Sequence, residues 1–389
     1  MVGTSLKRCD TFVVTSFVLL ASFDLFRAYI EVPAINYIFA FKEVLLICLL
    51  FIQCRINSVK ITPSFLAVML LTIFYCGINV VDENGIFLSL IFLKYVLVYF
   101  TTYLIFRNLS LDILRKGTKT VLFVFFVYSV TSLFYAFAFP DSMVRAGRMS
   151  GSANPSFLSY IYLLCFLYTF FNNHKFWSVW FILVGFLTLT KTFFVACCIV
   201  LIYLLIFSSY RGRILLTMLV IVPILSYVLT LNNDVYITYN KALAVLIDRD
   251  SNEYNSMDDR IGRIATFERK NSGNFIWGYG TGKAGSSTTF LREKIGIELD
   301  NLTDFENQIL NIFYSLGIFG ILLLYYPFVN HLVAIRRKKM FFREKHCFYL
   351  FLIVFVLYNL TLNILESFTS CIITLLFLME YGKEIENRN

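Results

Sequence analysis

At 389 residues, 58% hydrophobic and 15% charged, with a mean hydropathy of +0.72, the chain carries more apolar surface than a soluble globular fold can hide. A soluble enzyme and a soluble binding domain are both excluded. The formal charge of +9 would suit a nucleic acid only if the bases lined one polar face, and here they are scattered through short polar segments between long apolar runs.

In chain order, apolar runs predict about twelve transmembrane helices, near 11–30, 33–54, 61–80, 86–107, 120–139, 156–171, 176–190, 192–208, 212–231, 305–330, 347–365 and 367–381. Each is close to the ~20 residues that cross a ~30 Å hydrocarbon core as helix. The first run, from Thr11 to Phe23, lacks a small-residue cleavage site and is expected to stay as a span. The fold expected is all-α, a polytopic integral membrane helical bundle. With no internal repeat and no low-complexity linker, a single membrane domain over 1–389 is the economical reading.

With the N-terminus on the cytoplasmic side, the inside segments gather the largest share of the Lys and Arg, including IRRKK at 335–339. That asymmetry is the positive-inside pattern, and it puts both termini in the cytoplasm. One outside insertion then stands out, the long loop 232–304 between spans nine and ten. Loops of that length without structure of their own are uncommon and are usually functional or disordered. This one holds an amphipathic stretch, DDRIGRIATFERK at 258–270, followed by a Gly-rich turn, WGYGTGKAG at 277–285. With Ile261, Ile264, Ala265 and Phe267 on one side and Arg260, Arg263, Arg269 and Lys270 on the other, the stretch suits either a membrane surface or a helix packed on its own loop.

The nine cysteines lie in or beside spans or at the inside terminus, with none in the long loop and no CxxC pair, so no disulfide framework is expected. His174, His331 and His346 all fall in inside segments. An outside metal site of His and Cys therefore has no ligands, and neither a metal nor a cofactor is expected.

Charges inside the spans come first along the chain. Lys42, Glu43 and Lys94 lie mid-span, where a lone charge costs roughly 2.5–3.5 kcal/mol on insertion scales. A Glu43–Lys94 pair and a proton pathway are the two readings. Next, VRAGRMSGSANP puts Arg145 and Arg148 on the outside, where such residues are normally depleted. Guanidinium groups there can grip a phosphate through paired charge-assisted hydrogen bonds, or they can snorkel to headgroups. Gly147 and Gly151 permit close backbone approach, and Asn154-Pro155 fixes the start of the following span.

Further on, LTLTKTFF places Lys191 between two apolar runs so short that their connection lies at or within the outer boundary. A break lined by Thr188, Thr190 and Thr192 is tolerated only against protein or a watery cavity, so Lys191 is a candidate cavity lining or else an interfacial anchor. In GYGTGKAG, Gly280, Gly282 and Gly285 satisfy GxGxxG without the flanking strand and helix of a dinucleotide fold. What survives is a backbone nest beside Lys283 that could take an anion, or a simple tight turn. Finally, TDFENQ sets Asp304, Glu306 and Asn307 at the head of span ten. Asp304 suits helix capping, whereas Glu306, about one residue inside, is placed for a general base in a partly dry site.

The ordered set RMSGSANP, LTLTKTFF, the long loop with DDRIGRIATFERK and GYGTG, and then ENQILNIFYSLGIFG resembles the O-antigen polymerase family, which shares its fold with O-antigen ligases. The resemblance covers most of the chain from Arg145 to Gly320. It implies that Arg148, Lys191, Arg260 and the pair Glu306-Asn307 occupy the family's functional positions. The ligase branch typically shows His-Asn at that last pair, so polymerase is preferred.

That resemblance further implies a bacterial inner-membrane enzyme with a periplasmic active site, acting without a metal. Its substrate would be an oligosaccharide repeat unit on undecaprenyl pyrophosphate, with a flippase and a chain-length regulator of the same pathway as partners. On this reading Glu306, Arg148 and Arg260 are catalytic, and Arg145, Asn154, Lys191, Arg263, Gly280, Gly282, Lys283 and Asn307 bind substrate. A ligase-like glycosyltransferase and a lipid-linked oligosaccharide flippase are the alternatives, the latter disfavoured because no repeated halves are visible.

Overall fold

The computed structural model describes residues 85–138, 154–188, 190–207, 275–280, 305, 307–337 and 342–386, together with scattered helical positions between 10 and 74 and residues 267 and 284. Every extended regular element among them is helical. In chain order these are α1 (Gly85–Asn108), α2 (Leu111–Ala138), α3 (Pro155–Phe171), α4 (Lys175–Leu187), α5 (Lys191–Phe207), α6 (Gln308–Arg337), α7 (Phe342–Asn359), a 3-10 turn (Ile364–Glu366) and α8 (Phe368–Glu386). Among the described residues, two segments, Leu111–Phe134 and Gln308–Val333, are long and apolar enough to cross a membrane. The all-helical architecture and these spans are those of a membrane helical protein. The expected span near 212–231, and most of those near 11–30, 33–54 and 61–80, lie outside the described residues.

The helices form two compact units. In the first (1–121, 260–341 and 359–389), α8 is the central helix, buried on every side from Phe368 to Gly382 and packed on α1, α6 and the 3-10 turn. A helix that is apolar all round is stable only when covered all round. Its lower end carries Glu380, 2% exposed, which accepts from Thr118 Oγ1, while Arg115 bonds Glu384 at 2.8 Å. These contacts explain why α2 starts at Leu111 and not near 120. The polar stretch DILRKGTKT is held helical by tertiary ion pairs that hydropathy does not see.

α7 likewise ends at Asn359, short of the expected 365. A turn follows, and Glu366 N–H donates to Asn363 O at 3.1 Å in the 3-10 turn. α6 presents Phe319, Leu322, Tyr326, Val329 and Val333 as exposed side chains, a helically spaced apolar stripe. In a membrane protein such a stripe is the lipid-facing side.

The second unit comprises 122–259 and 342–358. Here α3 is central and almost wholly buried, with α4 folded back along it and α5 beside both. The α3–α4 hairpin closes through Asn173, at φ 58°, with His174 N–H on Thr169 O at 2.9 Å. This is a left-handed helix stop made with Asn in place of Gly. Ser159 Oγ and Tyr358 Oη, 3.0 Å apart, tie α3 to α7, and Trp180 Nε1 donates to Ser129 Oγ at 2.8 Å.

Candidate functional site

The head of α6 is the best-defined part of the expected site. Asn307 caps the helix, its Oδ1 accepting from the N–H groups of Ile309 at 3.0 Å and Leu310 at 3.2 Å. Capping by Asn satisfies donors that the first turn leaves open. Gln308 and Asn311, both buried, extend the polar patch. Gln308 Oε1 accepts from Leu365 N–H at 2.9 Å, and Asn311 Nδ2 donates to Asn363 Oδ1 at 2.8 Å. Asn311 Oδ1 also accepts from Phe305 N–H at 3.2 Å. These bonds pin the residues on either side of Glu306 to the α6 head and to the segment before α8.

The loop is docked on the same head by aromatic packing. Phe267 meets Phe305 edge-on at 5.2 Å, and Tyr279 stacks on Tyr314 at 4.7 Å. Ala284, Phe305 and Tyr314 form one buried cluster with Phe267, Tyr279 and Leu310 against it. Phe267 thus packs against protein.

Backbone completes the attachment. α6 is broken at Gly317, whose φ of 66° and ψ of −162° are not helical, and the break frees carbonyls that would otherwise be bonded within the helix. Tyr279 N–H takes Tyr314 O at 2.7 Å, Gly280 N–H takes Ser315 O at 3.1 Å, and Ile318 N–H donates to Phe275 O at 3.0 Å. A broken span is tolerated where protein supplies the missing partners, and this loop turn supplies them. Gly280, at φ 111°, therefore spends its N–H on the span.

In the second unit, Asn154 is the N-cap of α3, its side chain accepting from Ser156 N–H at 3.0 Å with Pro155 in the first turn. Lys191 opens α5. The expected break before it is present. α4 stops at Leu187, and Thr188 Oγ1 bonds Gly185 O at 2.6 Å and lies 3.4 Å from Thr190 Oγ1. Both threonines are buried, and Thr190 O receives the N–H groups of Phe193 and Phe194.

Gly280, bonded to Ser315 O, and Asn307, at the helix head, are both attached to α6 about two turns apart, while Asn154 and the start of α5 belong to the other unit. Arg145, Arg148, Arg260, Arg263, Gly282, Lys283 and Glu306, and the side chain of Lys191, lie outside the described residues, as do Lys42 and Glu43. Lys94 Nζ stands 5.6 Å from the Tyr95 ring centroid. Sequence reasoning missed Gln308, Asn311, Gly278 and Gly317. A Gly in mid-span, in SLGIFG, and a second one in WGYG were the available signals.

No curated protein matches the chain. Residues 176–325, from the start of α4 to the middle of α6, match the family model described as O-antigen ligase, and over that stretch the chain is similar to the O-antigen polymerase/ligase superfamily.

Proposed function

We propose that the chain is a surface polysaccharide polymerase, moving a nascent glycan from undecaprenyl pyrophosphate to the non-reducing end of a lipid-linked repeat unit at the periplasmic face of the inner membrane. The observation that carries this reading is the docking of the loop on the head of α6. Phe267 and Ala284 join Phe305 and Tyr314 in one cluster. Arg263 precedes Phe267 by four residues, Lys283 is bonded to Ala284, and Glu306 is bonded to Phe305. The loop segments that carry the cations are thereby tethered to the helix head that follows the carboxylate.

The leaving group is a polyanion, so fixed cations lower the barrier by meeting charge that develops as the glycosidic bond breaks. Arg148, Arg260 and Arg263 fill that role, with Lys191 as a further contact. Glu306 takes the proton from the attacking hydroxyl. A loop closed over the sugars excludes water, which would otherwise hydrolyse the donor. Polymerase is favoured over ligase because Glu306-Asn307 stands where the resemblance puts His-Asn in ligases.

The electrophoretic profile of lipopolysaccharide from cells lacking the gene tests this. Loss of a polymerase leaves core capped by a single repeat unit. Core alone would point to a ligase or a flippase and overturn the reading.

A further inference from the structure

The turn at 275–277 reads Phe-Ile-Trp, and the three residues are 55%, 54% and 55% exposed. Turns are normally built from Gly, Pro, Asn, Asp and Ser, so three consecutive large apolar side chains turned outward need a reason. The turn is not loose. Phe275 O holds Ile318 N–H at 3.0 Å, and the two bonds from Tyr279 and Gly280 fix its other end. Trp277 lies on Phe319 with ring centroids 5.3 Å apart, and Phe319 begins the outward apolar stripe that runs through Leu322 and Tyr326. The turn and the lipid-facing side of α6 are therefore one continuous apolar surface.

Depth can be read from length. The span Gln308–Val333 has 26 residues, about 39 Å at 1.5 Å per residue, against a hydrocarbon core of ~30 Å. Its first turns thus stand near one membrane boundary, and the 275–277 turn sits against residues 313–319, roughly 8–16 Å along the span from Gln308, with Trp277 at the deeper end on Phe319.

We propose that the 275–277 turn is a membrane anchor, whose occupant is the acyl-chain region of the bilayer below the headgroups and whose effect is to hold the long loop down at the Gln308 end of the span. The anchor does not depend on which reaction the protein catalyses.

Full-length protein in phosphatidylethanolamine/phosphatidylglycerol vesicles provides the test. The chain has three tryptophans, so the emission lost on Trp277→Phe isolates the contribution of Trp277. That difference emission should be blue-shifted, quenched when the vesicles carry brominated acyl chains, and unaffected by iodide in the water. Quenching by iodide alone would show a water-exposed turn, and quenching by neither would show a turn covered by protein. Either result overturns the anchor. If Trp277→Phe fails to accumulate, Ile276→Trp in the native sequence adds an emission that must respond in the same way.

Discussion

Gly278 and Gly317 stand back to back where the loop crosses the broken span. A Cβ on Gly278 would fall 2.6 Å from Gly317 N and 2.7 Å from Ser315 O, and one on Gly317 would strike Ile276 O closer still. Both glycines have positive φ, 75° and 66°, so an L side chain is strained there even before it clashes. The left-handed backbone alone costs roughly 1–2 kcal/mol for a non-Gly residue, and the contacts are with backbone that cannot step aside. Gly278→Ala and Gly317→Ala are each expected to lower the thermal stability of the detergent-solubilised protein by about 2 kcal/mol or more. The double variant should lose less than the sum, because both changes break one crossing. Unchanged melting in both single variants would mean that the crossing does not hold the loop.

Asn311 and Asn363 form a buried amide pair, 2.8 Å between Nδ2 and Oδ1, that locks the α6 head to the segment before α8. Asn311→Leu removes the donor to Asn363 and the acceptor for Phe305 N–H at once. Orphaned buried polar groups cost about 1–3 kcal/mol. Asn311→Leu is therefore expected to shift the denaturation midpoint down, and adding Asn363→Leu should recover part of the loss, since two apolar partners leave less unpaired. No recovery would locate the cost at Phe305 N–H.

How much of this was legible in the sequence follows from which forces act locally. Asn154-Pro155 was readable as a helix start because a cap is a property of four consecutive residues, whereas at the head of α6 the sequence pointed to Asp304 for capping and it is Asn307 that accepts from the first-turn N–H groups. The break at Thr188–Thr190 was readable from two apolar runs too short to be independent spans. The start of α2 at Leu111 was not, since Arg115 and Thr118 are made helical by Glu384 and Glu380, more than 260 residues away. The turn after Asn359 was hidden for a related reason: Asn363 is matched by Asn311 across 52 positions, and a hydropathy window averages it into a continuous span. Gly280 could be picked out as special, but only the backbone bond to Ser315 O shows that its N–H serves the loop-to-span junction.

If Arg148 and Arg260 hold the pyrophosphate, each contributes paired charge-assisted hydrogen bonds of about 1.5–3 kcal/mol apiece. Losing one pair corresponds to a fall of at least ~10²-fold in rate. Arg148→Ala and Arg260→Ala should each abolish chain extension at normal protein levels, with lipopolysaccharide ladders as the readout. Lysine replacements should rescue only weakly, because an ammonium cannot reproduce the planar two-point grip. A retained long-chain ladder in either alanine variant would remove that arginine from the site.

Glu306 is the sharpest test of the proposed mechanism because a base at this position and a merely structural neighbour separate kinetically. The chain around it is fixed independently of its carboxylate, by Asn307 capping α6 and by Phe305 N–H on Asn311. Glu306→Gln keeps size and hydrogen-bonding capacity while removing the proton acceptor, so the fold should be undisturbed. A general base typically contributes 10²–10⁴-fold. With a defined lipid-linked repeat unit and reconstituted protein, kcat should fall by about that factor while KM changes little, since the loss is confined to the transition state. An unchanged kcat would rule Glu306 out as the base, and a rise in KM at constant kcat would reassign it to substrate binding.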